Sequence, residues 1–301
     1  MAASRVHYLL LAAASILLFF GIAHQHDQVR ETLSNAWNKG AGSSSSSIDQ
    51  SGTIEPEGHG AAIPSPSKAA PTAAPGTPFV ASDAPSFHEI ALKHGTDKVT
   101  THHYWFMYDK YFPAIRDKKL KMLEIGLGCN MVRLWSGQVL LHLAGVLPHV
   151  DLYYMEYDAA CADKWAADMT GATIYTGDQA DKVFLQKFID ETGGDFDIII
   201  DDGGHTMNQQ QVSLEMLWKI VKPGGMYFIE DLQTSFMTSY GGDGMGGKDP
   251  SKHTMSKLIY ELLDDKLQGK DGQRHAISAE MRSIDCMREV CLFHKQEEGT
   301  I

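Results

Sequence analysis

Residues 197–231 read DIIIDDGGHTMNQQQVSLEMLWKIVKPGGMYFIED and carry the strongest fold signal of the chain. Two apolar runs in this stretch each end in a pair of acids, Asp201-Asp202 and Glu230-Asp231, and His205 follows the first pair. Neighbouring parallel strands open at their carboxyl ends onto one crevice, so acids that are distant in sequence converge there. The stretch therefore predicts a divalent-metal site with a base beside it.

From residue 86 onward, short apolar runs alternate with longer amphipathic segments. Five runs are typical of strands: KMLEIG (121–126), DLYYME (151–156), ATIYTG (172–177), FDIIID (196–201) and GMYFIE (225–230). Helices are predicted near 131–145, 159–169, 181–191 and 207–221. Residues 275–287 and 289–295 predict two closing strands joined by a short turn. We expect an α/β fold, a Rossmann-like seven-stranded and mostly parallel sheet with helices on both faces and an antiparallel last strand.

The charge composition argues against a nucleic-acid partner. The 301 residues include 26 Lys and Arg against 38 Asp and Glu, a net charge of −12, so there is no broad positive surface for a polyanion. We therefore expect no nucleic-acid partner. The four cysteines, Cys129, Cys161, Cys286 and Cys291, form no CxxC pattern, which argues against a structural zinc site.

The amino-terminal region differs from the rest of the chain. Residues 1–23 are apolar nearly throughout after Arg5, and we interpret them as a membrane anchor with a cytoplasmic amino terminus, a cleaved signal peptide being the alternative. Residues 24–85 are rich in Ser, Pro and Ala and predict a disordered stem. Residues 86–301 then form the folded domain, expected in the lumen of the secretory pathway, or secreted if the signal is cleaved.

A glycine-containing loop follows the first predicted strand. In Glu124-Ile125-Gly126-Leu127-Gly128-Cys129-Asn130, the glycines let the backbone approach a bound nucleotide. Met131 occupies the last glycine position of the dinucleotide motif GxGxxG, which argues against NAD. The second predicted strand ends at Glu156, where nucleotide-binding α/β proteins place a carboxylate on the ribose hydroxyls, with Asp158 as the alternative.

With these elements the chain resembles the class I S-adenosylmethionine-dependent methyltransferases. The shared features are LEIGLG (123–128), the acid after the second strand, GDQAD (177–181) and KPGG (222–225). Within that superfamily, GTDKVTTHHYWFMYDKYF (95–112), DDGGH (201–205) and IEDLQTS (229–235) resemble the macrocin and mycinamicin type of sugar O-methyltransferase. The departure from the superfamily pattern is Asn130, which stands where a third glycine is common.

The resemblance implies roles for individual residues. It implies S-adenosylmethionine bound by Glu124, Gly126, Gly128, Glu156 and Asp178, with Asp178 accepting a hydrogen bond from the adenine amino group. It implies Mg²⁺ or another divalent cation held by Asp202, Glu230 and Asp231, with His205 as the general base. The acceptor would be a hydroxyl of a sugar, glycan or polyol-like small molecule. Residues 95–104 would supply part of a lid or cofactor wall, through Asp97, Lys98, His102, His103 and Tyr104.

Alternative interpretations accompany several of these assignments. Asp201 or Asp202 alone would serve as a cap for the helix near residue 207, and we assign Asp201 a structural role. The glycine-rich segment 241–247 is either a loop that closes over substrate or an ordinary flexible connection. Cys286 and Cys291 are expected to be buried free thiols, with a hairpin disulfide as the alternative. The alternative functions are a metal-independent or cephalosporin-hydroxylase-like enzyme and a non-catalytic cofactor-binding scaffold.

Overall fold

Seven strands form one sheet in the computed structural model of the protein. They are β1 (Leu120–Ile125), β2 (Val150–Glu156), β3 (Ala172–Thr176), β4 (Phe196–Asp201), β5 (Val221–Ile229), β6 (Met281–Met287) and β7 (Val290–Lys295). Their order in the sheet is β3-β2-β1-β4-β5-β7-β6. Neighbours from β3 to β5 pair in parallel, whereas β7 is antiparallel to both β5 and β6. The predicted fold class is confirmed, including the antiparallel closing strand.

The structure describes residues 84–129, 143, 145–167, 169, 171–269 and 272–299. The predicted anchor, nearly all of the predicted stem, Asn130 and most of the helix predicted near 131–145 lie outside these residues. Within the described ranges, no helix has the length and apolar character needed to cross a membrane.

Helices accompany the strands in the described ranges. They are α1 (Phe87–His94), α2 (Asp97–Thr100), α3 (Trp105–Tyr111), α4 (Ala159–Ala166), α5 (Lys182–Thr192), α6 (Met207–Leu217), α7 (Met255–Gln268) and α8 (Ala276–Glu280). Short 3-10 helices cover Phe112–Ala114, Trp218–Ile220, Leu232–Phe236 and Thr238–Tyr240. The segments α1, α2 and α7 were not predicted as helices from the sequence.

The sheet separates two apolar clusters because successive side chains of a strand point to opposite faces. Ile198 and Ile200 of β4 pack in the cluster that includes Phe87 of α1 and Tyr108 of α3. Ile199 packs in the other cluster, which contains residues of α5, α6 and α7. The unbroken apolar run in β4 is therefore explained by burial on both faces, as expected for a parallel strand covered by helices.

The segment KPGG (222–225), whose proline and glycines predict a helix stop and a tight turn before the fifth strand, is part of β5. Val221 pairs with Phe196 of β4, and the next registered pair is Met226 with Ile198. One residue of β4 therefore lies opposite four residues of β5, and Gly224 adopts a left-handed backbone with φ +75°. KPGG thus forms an irregularity inside a strand rather than a boundary before it.

The carboxyl-terminal strand prediction needs one correction. Residues 276–280 of the predicted strand 275–287 form helix α8, and β6 begins at Met281. The buried carboxylate of Asp265 accepts hydrogen bonds from the backbone N–H of His275 at 3.0 Å and from the Ser278 hydroxyl at 2.9 Å. These contacts hold the segment against α7, so tertiary hydrogen bonding determines its helical structure.

Candidate active site

A cavity of about 440 Å³ opens at the carboxyl ends of the parallel strands. Its walls come from the loops after β1, β2, β3, β4 and β5 and from the amino-terminal segment. The residues that line it include Lys98, His102, Gly126, Gly128, Cys129, Glu156, Tyr157, Asp158, Gln179, Asp202, His205, Asp231 and Tyr240. The convergence of the strand ends predicted from residues 197–231 is present in the structure.

The glycine loop after β1 approaches the loop after β4 very closely. Gly126 has φ +99°, and a Cβ on it would lie 2.1 Å from the carbonyl oxygen of Asp202. Its N–H donates to the carbonyl of Met155 at 2.8 Å, which continues the β1–β2 pairing beyond the strand. Glycine is therefore required at position 126 both by backbone conformation and by space.

Glu156 ends β2 and joins two loops of the cavity wall. Its Oε2 accepts from the N–H of Leu127 at 2.9 Å, and its Oε1 accepts from the N–H of Asp158 at 2.8 Å. Asp158 in turn caps α4, because its carboxylate accepts from the N–H of Cys161 at 3.1 Å. The structure therefore places Glu156 at the predicted cofactor wall and gives Asp158 a capping role.

Two other predicted cofactor residues do not line the cavity. Glu124 is completely buried beneath it, and burial raises the pKa of its carboxyl group to about 7. Asp178 accepts from the N–H of Ala180 at 2.8 Å within its own loop. Their proposed cofactor contacts remain predictions. The neighbouring Gln179 does line the cavity, although the sequence analysis did not single it out.

Gln179 supports the DDGGH loop from below. Its side-chain nitrogen donates to Asp201 Oδ1 at 2.9 Å, and its side-chain oxygen accepts from the N–H of Gly204 at 2.8 Å. A Cβ on Gly203 would lie 1.9 Å from that oxygen, so only glycine leaves room for Gln179. Asp201 also accepts from the Ser213 hydroxyl, and burial raises its pKa. Asp201 is thus held inside the structure, away from the cavity.

Three side chains form a cluster that can hold a metal ion. One ligand atom from each of Asp202, His205 and Asp231 lies within 4.8 Å of the others, and all three side chains are partly exposed to the cavity. His205 Nε2 lies 3.7 Å from Asp231 Oδ2. His205 and Asp231 both adopt left-handed backbones, with φ +58° and +54°, a conformation found at strained functional positions.

The alternative that Asp201 or Asp202 caps α6 does not hold. Thr206 is the capping residue, with its hydroxyl accepting from the N–H of Gln209 and the Gln209 side chain accepting from the N–H of Thr206. This reciprocal arrangement closes the amino terminus of α6 without an acid. Asp202 is therefore free to face the cavity.

Glu230 lies behind the cluster and contacts a buried lysine. Lys98 Nζ is 2.5 Å from Glu230 Oε2, 2.7 Å from Asp202 Oδ2 and 3.6 Å from Glu124 Oε1. The other Glu230 oxygen accepts a short hydrogen bond from the Tyr108 hydroxyl. Burial opposes the charge on Lys98, but the carboxylates of Asp202 and Glu230 outweigh it and hold the lysine pKa well above its ordinary value.

The buried group has more acids than cations. Glu124, Asp202 and Glu230 surround the single ammonium of Lys98, so burial raises the pKa of Glu230 although Lys98 opposes that shift. Asp231 adds a fourth carboxylate on the cavity side. This excess of carboxyl groups over ammonium groups suits a bound cation, which could take the place of the protons that burial favours on these acids.

A histidine outside the predicted metal set also faces Asp231. His102 Nε2 lies 3.9 Å from Asp231 Oδ1, and its Nδ1 lies 2.8 Å from Glu289 Oε2. Its ring stacks on Tyr104 with the centroids 4.7 Å apart, and the Tyr104 oxygen accepts from the N–H of Asp231 at 3.1 Å. The predicted wall segment 95–104 thus reaches the site through Lys98, His102 and Tyr104.

The glycine-rich segment 241–247 is anchored by Asp243. The Asp243 N–H donates to Ser235 at 2.8 Å, and its carboxylate accepts from the N–H groups of Met245 at 2.7 Å and Asp249 at 2.8 Å. Tyr240, just before the segment, lines the cavity, with its ring centroid 6.4 Å from that of His205. These hydrogen bonds fix the segment 241–247 beside the cavity. Its closure over a substrate stays a prediction.

All four cysteines are paired. Cys286 and Cys291 form a disulfide between β6 and β7, which corrects the expectation of free thiols. The two are register partners in the hairpin, with Cα atoms 4.1 Å apart, so the strand geometry brings them together. Cys129 and Cys161 form a second disulfide that the sequence analysis did not predict.

Comparison with known proteins identifies relatives of this chain. The chain matches no protein-family model. It is 32% identical over 193 residues to demethylmacrocin O-methyltransferase of Streptomyces fradiae and 32% identical over 187 residues to mycinamicin VI 2''-O-methyltransferase of Micromonospora griseorubida. Its homologues are macrocin- and mycinamicin-type sugar O-methyltransferases. These alignments cover 63% and 61% of this chain but 46% and 44% of the relatives, so the chain spans about half the length of the curated relatives it matches.

The solved structures agree with this methyltransferase fold. The MycE methyltransferase of the mycinamycin biosynthetic pathway, in complex with Mg, SAH and mycinamycin VI, aligns with a TM-score of 0.62 at 28% identity. The alignment covers 73% of this chain and 57% of that one. A second crystal of the same enzyme, with Mg and SAH, aligns equally well.

Proposed function

We propose that this protein transfers a methyl group from S-adenosylmethionine to a hydroxyl of a sugar or polyol-like acceptor, with a divalent cation and His205. One observation carries the proposal. The Asp202, His205 and Asp231 cluster lies in the same cavity as the glycine loop and Glu156. A hydroxyl bound at the cluster and a cofactor bound at the loop would therefore share one space.

The residues present fit a divalent cation. Asp202 and Asp231 offer carboxylate oxygens to the cavity, and carboxylates are the ligands that Mg²⁺ prefers. Glu230, the third predicted ligand, has one oxygen on Lys98 and the other on Tyr108. Asp202 contacts Lys98 through one oxygen only, so we assign the main share of metal binding to Asp202 and Asp231. Glu230 would be a further ligand only if it gave up its contact with Lys98 or with Tyr108. The bound ion would lower the pKa of a coordinated acceptor hydroxyl.

The position of His205 supports its proposed role as the base. Its Nε2 faces the Asp231 carboxylate at 3.7 Å, so a hydroxyl held beside Asp231 would lie within reach of the imidazole. His205 Nδ1 is buried and makes no hydrogen bond among the described residues. The imidazole would accept the hydroxyl proton while the oxygen attacks the methyl group, whose bond to the cofactor sulfur would break to leave S-adenosylhomocysteine. The protein supplies the alignment of the two reactants.

The opposite wall would hold the adenosyl cofactor. Gly126 and Gly128 bring the backbone to the cavity without side chains, and Glu156 presents a carboxylate that is already fixed by two backbone N–H groups. The relative MycE was crystallised with SAH and Mg, which supports the same pair of ligands here.

The test is release of S-adenosylhomocysteine by the full chain across sugars, glycans and phenols, with and without Mg²⁺. We expect release with a sugar or polyol that disappears after chelation. His205→Ala should lower turnover by about 10²-fold or more, with little change in affinity for S-adenosylhomocysteine. Undiminished turnover after chelation would favour a metal-independent enzyme, and cofactor binding without transfer would favour a scaffold.

Metal affinity separates two roles for His205. A base leaves the Mg²⁺ affinity nearly unchanged when it is replaced by alanine, whereas a ligand does not. Because imidazole suits ions such as Ni²⁺ better than Mg²⁺, a ligand role would also show as tight binding of Ni²⁺ that His205→Ala strongly weakens. Asp231→Asn is the comparison variant, since we expect it to weaken both ions.

We also propose that residues 1–23 anchor the protein and that the catalytic domain lies in the lumen of the secretory pathway. The two disulfides support this location, because disulfides persist in oxidising compartments. The chain has no Asn-x-Ser/Thr site, so a sequon introduced in the stem is an unambiguous reporter. Glycosylation of that sequon with residues 1–23 retained is the expected result. A secreted, shortened chain would indicate a cleaved signal.

A further inference from the structure

The disulfide between Cys129 and Cys161 crosses the cofactor side of the cavity. Cys129 follows Gly128 in the glycine loop and lines the cavity, whereas Cys161 lies in the first turn of α4. The Cα atoms are 6.1 Å apart, although the residues are separated by 32 positions in sequence. The bridge therefore joins the loop after β1 to the helix after β2.

These two segments form one wall of the cavity. Gly128 and Cys129 line it from the first loop, and Glu156, Tyr157 and Asp158 line it from the second. Strand pairing ends at Ile125 opposite Met155, and one further backbone bond joins Gly126 to Met155. Beyond that point, the strands no longer fix the spacing of the wall.

Glu156 is the non-covalent link between the two segments. It accepts from the N–H of Leu127 on one side and from the N–H of Asp158 on the other. Asp158 then accepts from the N–H of Cys161, so the connection leads to the same residue that the disulfide reaches. Hydrogen bonds and disulfide together close a ring around the edge of the wall.

A loop of this kind needs such support. Gly126 and Gly128 both have positive φ, and glycine has more backbone freedom in competing conformations than any other residue. Ordering the loop when the cofactor binds would reduce affinity, whereas an already ordered loop binds more tightly. A covalent link at Cys129 removes part of that ordering cost.

We propose that the Cys129–Cys161 disulfide is a clamp that positions the cofactor wall, so that affinity for the adenosyl cofactor depends on this bridge. The inference rests on the proposed function, since it assumes that the wall binds S-adenosylmethionine. Cys129 and Cys161 are positioning residues that act through the glycine loop and Glu156. The sulfur atoms take no part in methyl transfer.

The second disulfide supplies an internal control. Cys286 and Cys291 are five positions apart and already paired by the β6–β7 hairpin, so their bridge closes a short loop within existing strand pairing. A bridge that closes a longer loop restricts the chain more. Neither Cys286 nor Cys291 lines the cavity.

The clamp opens by reduction with a dithiol. The S–S bond breaks, two electrons and two protons pass from the dithiol to the two cysteine sulfurs, and the dithiol becomes a cyclic disulfide. Oxidised glutathione reverses the step, since it accepts two electrons and two protons and leaves as two thiols.

The experiment measures binding of S-adenosylhomocysteine to the full chain by calorimetry, before and after reduction with dithiothreitol. Free thiols are counted in each sample, and Mg²⁺ binding is measured in parallel. We expect reduction to weaken binding about tenfold in the unmodified protein and in Cys286→Ser/Cys291→Ser. Cys129→Ser/Cys161→Ser should bind weakly under both conditions, and Mg²⁺ binding should be unaffected throughout.

Other outcomes overturn the inference in distinguishable ways. Equal affinity before and after reduction, with four thiols counted in the reduced sample, shows that the bridge is not a clamp. A parallel loss of Mg²⁺ binding shows general loosening of the fold instead. If the oxidised protein binds no S-adenosylhomocysteine, the proposed function itself fails. Should the serine variant not fold, reduction of Cys286→Ser/Cys291→Ser alone distinguishes these results.

Discussion

The Nζ of Lys98 lies 2.5 Å from Oε2 of Glu230, and both side chains are almost completely buried. Breaking a buried ion pair by removing one partner leaves the other charge uncompensated. Lys98→Met should therefore destabilise the fold by about 3–5 kcal/mol, measured by urea denaturation. Lys98→Met/Glu230→Gln should recover part of that loss, because the remaining carboxyl charge is removed.

The surface pair of Lys110 and Asp285 is the matched control for that experiment. Its Nζ to Oδ2 distance is also 2.5 Å, but the lysine side chain is half exposed. Because exposed pairs are solvated and screened, Lys110→Met should change stability far less than Lys98→Met. If the two variants lose similar amounts of stability, burial does not make the Lys98 pair more important to stability than the surface pair.

Glu124 should make stability depend on pH. Burial raises its pKa from 4.5 to about 7 in the folded protein, so the unfolded chain loses this proton at lower pH than the folded one. The contribution of Glu124 to stability is therefore present below pH 4.5 and is lost as the pH rises through about 7. Glu124→Gln stays neutral, so its stability advantage over the unmodified protein should grow across this range.

Urea midpoints between pH 5 and 8 measure that advantage. Glu215→Gln is a suitable control, because Glu215 is an exposed carboxylate paired with Lys182 on the surface. A stability difference between Glu124→Gln and the unmodified protein that stays constant with pH would mean that Glu124 does not titrate in this range.

Glu156 and Asp178 should differ in their effect on the cofactor. Glu156→Gln keeps the shape of the side chain but can accept only one of the two bonds from the N–H groups of Leu127 and Asp158, because its amide nitrogen donates, so the KM for S-adenosylmethionine should rise about tenfold. Asp178→Asn should change it little, because Asp178 does not line the cavity. Steady-state kinetics at saturating acceptor compares them. A larger effect at Asp178 would restore the predicted adenine contact.

Gly126→Ala tests the close approach of the glycine loop to the DDGGH loop. The added Cβ meets the Asp202 carbonyl oxygen, so the variant should lose both cofactor and metal binding. Gly171 has nearly the same backbone, φ +94° against +99°, but nothing within 4 Å of an added Cβ. Gly171→Ala should lower the stability only by the backbone strain, about 1–2 kcal/mol, and should still bind both the cofactor and the metal ion. Equal binding by the two variants would rule out the steric explanation.

The strands could be predicted because their signal is local. Apolar runs such as FDIIID are bounded by polar or glycine residues, and the alternation with helices implies a parallel sheet covered on both faces. Helix α8 could not be predicted, since its residues contact Asp265, which lies in the preceding helix. KPGG was misplaced because glycine and proline mark an irregularity within a strand as readily as a turn.

The sequence predicted those site residues that directly follow a strand, because the sheet determines where such residues lie. Asp202 and Asp231 follow apolar strands, and the sheet brings them together. Lys98 lies 104 positions before Asp202 in sequence, so no local pattern indicates their contact. The sequence indicated Asp178 and not its neighbour Gln179, because a carboxylate after a strand is the usual cofactor ligand. In the structure it is the Gln179 amide that lies in the cavity wall and bonds to Asp201 and Gly204.

Thr206 and Gln209 close the start of α6 by themselves. The residues just upstream therefore have no capping role, and α6 can begin at Met207 whatever side chain stands at position 205. The rest of the loop has less freedom, because Gly203 leaves room for Gln179 and Asp202 pairs with the buried Lys98. For anyone redesigning this chain, position 205 is the place in the DDGGH loop where a new functional group can be introduced at the least risk to folding.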